Sequence, residues 1–94
     1  MDRVLVDRRD EILRIAQSHG ARIVEVFGSR ARDRARPDSD VDLLVTLEQG
    51  RSLLDLIAIK QDVEDLLGLQ VDVLTHGSVS PYLRERVLRD AVRL

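Results

Sequence analysis

The chain has no cysteine, and its 94 residues include only two aromatics, Phe27 and Tyr82. Without thiolates, and with just two scattered histidines, any metal the protein takes up falls to carboxylate oxygens, which favours a hard divalent cation. Two aromatics offer bases no stacking platform. A net charge of −2 likewise argues against a nucleic-acid-coating protein, so no sequence-specific nucleic-acid binding is expected. No apolar run is long enough to cross a bilayer, since Asp55 interrupts Leu53–Ile59, and no apolar leader-like stretch opens the chain. The expected partners therefore include no membrane, and the expected location is a reducing cytoplasm. Repeats, low-complexity tracts and Pro/Gly-rich linkers are also missing, so residues 1–94 are expected to form one domain without room for a second core. A second substrate must then arrive on a partner or be held by very little of this chain.

What is present alternates between strand-like and helical patterns. Asp7 is the expected cap of a helix through Ser18 that turns Ile12, Leu13 and Ala16 toward a core and stops at Gly20. The β-branched run Ile23–Phe27 predicts a first strand, and Ser29–Arg32 a helical start that must end before Pro37. Val41–Thr46 and the alternating Leu69–Leu74 predict two more strands. Between them, Ser52 with Asp55 three residues on forms a capping-box start for a helix to Leu67, with Leu53, Leu56, Ile57, Val63 and Leu67 as its apolar face and Gly68 as its end. Ser80 and Pro81 open a last helix in which Leu83, Val87, Leu88 and Ala91 share a side. The pattern is that of an α+β domain with α/β alternation, helices packed on a small sheet.

The residues from Phe27 to Val45 read as a metal-dependent phosphate site. A helix opening at Gly28 and Ser29 would aim free backbone N–H groups and a hydroxyl at an anion. Asp40 and Asp42 sit two apart at the start of a β-type run, so in an extended strand both carboxylates project from one face, with Val41, Leu43 and Val45 on the other. Two neighbouring carboxylates repel unless something positive lies between them, and Mg²⁺ is the natural candidate. Asp72 is a charge inside an apolar strand and needs polar company on its face. If the second and third strands are neighbours, it stands across from the Asp40/Asp42 pair. Glu25 in the first strand is the competing third ligand.

Phe27-Gly28-Ser29-Arg30-Ala31-Arg32, Ser39-Asp40-Val41-Asp42-Leu43-Leu44-Val45 and Val71-Asp72-Val73-Leu74, in that order, resemble the Gly-Ser, Asp-x-Asp and third-Asp motifs of the polymerase-β-like nucleotidyltransferase superfamily. Within it the chain is similar to the minimal nucleotidyltransferases, antitoxin partners of HEPN-domain ribonuclease toxins. One departure is Asp33, where a glycine is expected after Ala31-Arg32. The resemblance implies a small mixed sheet and transfer of AMP from ATP to a hydroxyl, a tyrosine of the cognate toxin. It also implies catalytic and metal-binding roles for Asp40, Asp42 and Asp72 around two Mg²⁺ ions, with Gly28, Ser29 and Arg30 at the nucleotide phosphates.

Other features have plainer readings. Arg30, Arg32, Arg34 and Arg36 make a basic patch that suits a triphosphate or an acidic partner and equally suits a solvated charge run. His19 and His76 read as surface residues, and Tyr82, beside Pro81, as packing. Two further functions stay open beside adenylylation of a toxin: neutralisation by binding alone, and nucleotidyl transfer to a small molecule or an RNA end.

Overall fold

The computed structural model describes residues 1–32 and 34–94, so Asp33 and the expectation attached to it lie outside the described residues. Asp2 opens helix α1 (Arg3–Asp7), its Oδ1 accepting from the Val4 amide at 2.8 Å. Asp7 therefore ends a helix instead of capping one. Helix α2 (Arg9–Ser18) follows after the single residue Arg8, which makes no side-chain cap. The local cap signal at Asp7 loses because Leu5, two residues earlier, is buried in the core and extends helical structure toward the N-terminus.

Gly20, at φ +88°, turns the chain into β1 (Ala21–Phe27), which pairs antiparallel with β2 (Val41–Leu47). Helix α3 (Leu53–Leu67) then crosses to β3 (Val71–Thr75), which lies parallel to β2. A 3₁₀ turn (His76–Ser78), helix α4 (Pro81–Asp90) and the two-residue β4 (Val92–Arg93) complete the chain, β4 antiparallel to β1. The mixed sheet has the order β3-β2-β1-β4.

Register decides which residues share a face. Val24, Val26, Val41, Leu43, Val45 and Val71 turn to one side, where they pack with Ile12 and Ala16 of α2, Ile59 and Val63 of α3, and Leu5. This is the core. The opposite face carries Glu25, Phe27, Asp42, Leu44 and Asp72, and there α4 approaches Phe27 without a buried residue of its own, unlike α2 and α3 on the first face.

Three expectations about helices are corrected. Ser29–Arg32 forms turns, with the Arg32 and Arg34 amides both donating to the Ser29 carbonyl, and no helix opens at Gly28. The capping box of α3 is present and Gly68 ends it in the left-handed region, yet Leu53 is 68% exposed and Ile57 is exposed too. That helix is apolar on more than one side, so periodicity alone does not choose the buried stripe, which runs through Ile59 and Val63. Helix α4 starts at Pro81, but Ser80 makes no side-chain cap, and Leu83 and Leu88 are exposed. Tyr82 is 95% exposed, because the first turn of a helix without a buried residue offers nothing to pack on.

Candidate active site

Asp42 is the second residue of β2, between the buried Val41 and Leu43, so strand parity sends its side chain to the face away from the core. In register it stands opposite Phe27 of β1 and opposite Asp72 of β3. Neighbouring strands lie about 4.8 Å apart, which sets two carboxylates side by side. Half-buried, Asp42 has its pKa pushed up to about 6, first by burial and then by the charges of Asp72 and Asp40. Three carboxylates thus press their fields on one spot. Asp40 itself is exposed and lies just before the strand, and its charge reaches Asp42.

Gly28 follows β1 at φ +76°, and a Cβ built on it would run into Oδ2 of Asp42. Glycine is thus required twice over, by backbone angle and by close approach. Ser29 follows it, partly buried. Phe27, Gly28 and Arg32 line one wall of a cleft whose other wall is Arg86, Val87 and Asp90 of α4. Arg32 is tied across it to Asp90 at 3.4 Å. Arg86 is the site residue that sequence reasoning missed: on α4 it is one charge among several, and only tertiary packing brings it to Gly28.

The third carboxylate is positioned from behind. Glu64 of α3 accepts from the Val71 amide at 2.9 Å and from Lys60 Nζ at 2.8 Å, while the same Nζ donates to the Val71 carbonyl at 2.8 Å. The hydrogen bonds from Lys60 and from the Val71 backbone hold the Glu64 carboxyl below its usual range. This clasp fixes the residue before Asp72. Glu25 stands opposite Leu44 instead, one step along the sheet from Asp42, with the His76 ring 3.4 Å away. His19 lies 2.9 Å from Asp62, so both histidines sit against carboxylates at the surface.

Arg30 is corrected. It was expected at the phosphates, but it is 1% exposed and its guanidinium is occupied by Asp2 and by carbonyls of the loop that leads to Asp40. The positive groups that do face the cleft are Arg32 and Arg86.

Among the described residues no three His, Asp or Glu side chains are gathered closely enough to form a ready metal cage. The donors at the site are nonetheless all carboxylate oxygens, the type magnesium takes, and the repulsion that adds to burial in lifting Asp42 is what a cation would relieve.

Residues 9–94 match the family model described as the nucleotidyltransferase domain. The chain belongs to that family. Residues 1–8, with Asp2 and α1, lie outside the matched stretch. Among curated relatives, a Methanocaldococcus jannaschii protein provisionally named a protein adenylyltransferase is 44% identical over 82 residues, covering 87% of this chain and 88% of that protein. Protein adenylyltransferase MntA of Thermococcus cleftensis is 41% identical over 78 residues, or 83% of this chain and 79% of that one. A solved structure provisionally described as a minimal nucleotidyltransferase superposes with a TM-score of 0.86 at 49% identity, covering 100% of this nucleotidyltransferase domain and 97% of its own chain. The fold alone is shared with a toxin-antitoxin structure containing AMP-PNP (TM-score 0.76, 19% identity, 89% of this chain and 69% of that one). It is also shared with a complex of tri-AMPylated Shewanella oneidensis HEPN toxin with MNT antitoxin (TM-score 0.69, 17% identity, 92% and 67%).

Proposed function

We propose that this nucleotidyltransferase, a single domain over residues 1–94, transfers AMP from ATP to a tyrosine hydroxyl of a HEPN-type ribonuclease toxin and so neutralises it. The observation that carries the reading is the placement of Asp42 directly opposite Asp72, with Gly28 packed on the Asp42 carboxylate. The relatives named as protein adenylyltransferases support the choice of AMP and of a protein acceptor. The AMPylated toxin complex, whose fold this chain shares, supports the kind of acceptor.

Gly28 and Ser29 hold the outgoing phosphates through backbone N–H groups and hydroxyl, and Arg32 and Arg86 bring positive charge to the same cleft. Asp40, Asp42 and Asp72 are the residues that would hold Mg²⁺, which would supply neutralisation of charge on the transferred and leaving phosphates. Asp72, exposed where Asp42 is half-buried, takes the proton of the incoming phenol as its oxygen bonds the α-phosphorus and pyrophosphate departs. Among the described residues no helix is long and apolar enough to cross a membrane, and we place the protein in the cytoplasm.

Incubation with α-labelled ATP, Mg²⁺ and the helical protein encoded beside it tests the proposal. Label is expected on a tyrosine of that partner, and none with Asp42→Asn. In cells, Asp40→Asn/Asp42→Asn is expected to lose most of the relief from growth arrest while still binding the toxin. Full relief by the double variant would mean neutralisation by binding alone, and label on an RNA end or a small molecule would move the acceptor.

A further inference from the structure

Arg30 is the buried charged residue among those described, and burying a guanidinium is costly unless its donors are matched. Here they are matched on two sides, by Asp2 and by the loop before Asp40. Nη1 donates to Oδ2 of Asp2 at 2.6 Å; Nε and Nη2 donate to the Ser39 carbonyl at 3.0 and 2.7 Å; Nη2 also reaches the Pro37 carbonyl at 3.0 Å. Every loop group it holds lies in the few residues before Asp40. That stretch has little support of its own: the Ser39 amide donates to the Arg36 carbonyl, and Ser39 Oγ accepts from the Arg36 amide.

Asp2 completes the connection. Its backbone amide donates to the Arg30 carbonyl at 3.0 Å, so it grips the turn that carries Gly28 and Ser29, while its side chain grips the guanidinium that carries Ser39. Its other carboxylate oxygen caps α1, and Leu5 anchors that helix in the core. The two halves of the site, Gly28-Ser29 and Asp40-Asp42, are thus tied through one ion pair to a helix outside the stretch matched by the family.

We infer that Asp2 and Arg30 are positioning residues for AMP transfer: α1 acts as a strap that sets Asp40 through the Ser39 carbonyl. The inference rests on the proposed function for its catalytic part and on geometry alone for its structural part.

The test is Asp2→Asn. Asparagine caps a helix as well as aspartate does, so α1 keeps its start. Only one of its two terminal atoms is an acceptor, however, and the amide would turn N–H groups on the guanidinium. In the full chain without partner, hydrogen exchange is expected to speed up at the Arg34, Arg36 and Ser39 amides and to stay unchanged at Val24 and Val26 in β1. In the transfer assay kcat should fall by about tenfold to a hundredfold, the scale of a reacting group displaced by about an ångström, with KM for ATP unchanged. Val6→Ala, on the exposed side of α1, should move neither reading. Unchanged exchange in the loop would overturn the inference, as would a loss confined to KM. If the unmutated protein transfers no AMP, the functional reading fails instead, and the exchange data still decide whether the strap exists.

Discussion

Gly28 and Asp42 approach so closely that a single methyl group on the glycine would overlap the aspartate's Oδ2. Gly28 also sits at φ +76°, where a side chain is strained whatever the space. Gly28→Ala is therefore expected to cost about 1 kcal/mol or more of stability. It should also displace Asp42 and lower the rate of transfer by about a hundredfold. Thermal melts and single-turnover assays on the same preparation check both, and an active, equally stable alanine variant would contradict the packing.

Asp42→Asn should remove transfer, by about 10²–10³-fold in rate, yet stabilise the metal-free protein at neutral pH. The folded pKa of Asp42 is raised to about 6, so the native state holds this proton more tightly than the unfolded chain. That contribution to wild-type stability is complete below the usual carboxyl pKa near 3.8 and is lost as pH rises through about 6. The asparagine variant should accordingly melt higher than wild type in EDTA at pH 7.5 and level with it near pH 4. Added Mg²⁺ should raise the wild-type melting temperature and narrow the gap.

Asp72→Asn should cost about 10²–10⁴-fold in rate, whereas Glu25→Gln should change little. The ranking follows from register, since Asp72 faces Asp42 and Glu25 faces Leu44. Parallel kinetics of the two variants decide it, and the reverse order would make Glu25 the third carboxylate.

Glu64→Gln should loosen the clasp between α3 and β3. The Glu64 carboxyl is held below its usual range by Lys60 and the Val71 amide, so its stabilisation is present above the unfolded pKa near 4.5 and is lost as pH falls through the lower folded value. The variant should melt below wild type at pH 7, with the difference shrinking in acid. It should also slow transfer through Asp72, which rate measurements at neutral pH would show.

Strand parity carried much of this architecture openly in the sequence. Val41, Leu43 and Val45 alternate with Asp42, and the lone charge in Val71-Asp72-Val73 announces a polar face, so the pairing of Asp42 with Asp72 needs only that the two strands be neighbours, which the structure supplies. The α3 cap was readable for the same reason: Ser52 and Asp55 interact within one turn. What escaped depends on partners distant in the chain. Arg30 looks like its neighbours Arg32, Arg34 and Arg36 until Asp2 and the Ser39 carbonyl surround it. Arg86 reaches the cleft only because α4 returns to β1, and β4 is too short to have a pattern at all. Tyr82 was misread because packing was inferred from residue type where the helix beneath it offered no surface.

The division of β2 into a core side and a chemical side also has a genetic consequence. Changes at Asp42 or Asp72 leave the valines and leucines that build the body of the protein untouched. An allele stripped of its carboxylates would still encode a product of the same shape, able to occupy the partner without modifying it. In a cell carrying both alleles, the defective one would then behave as a competitor, and its effect would scale with its dosage.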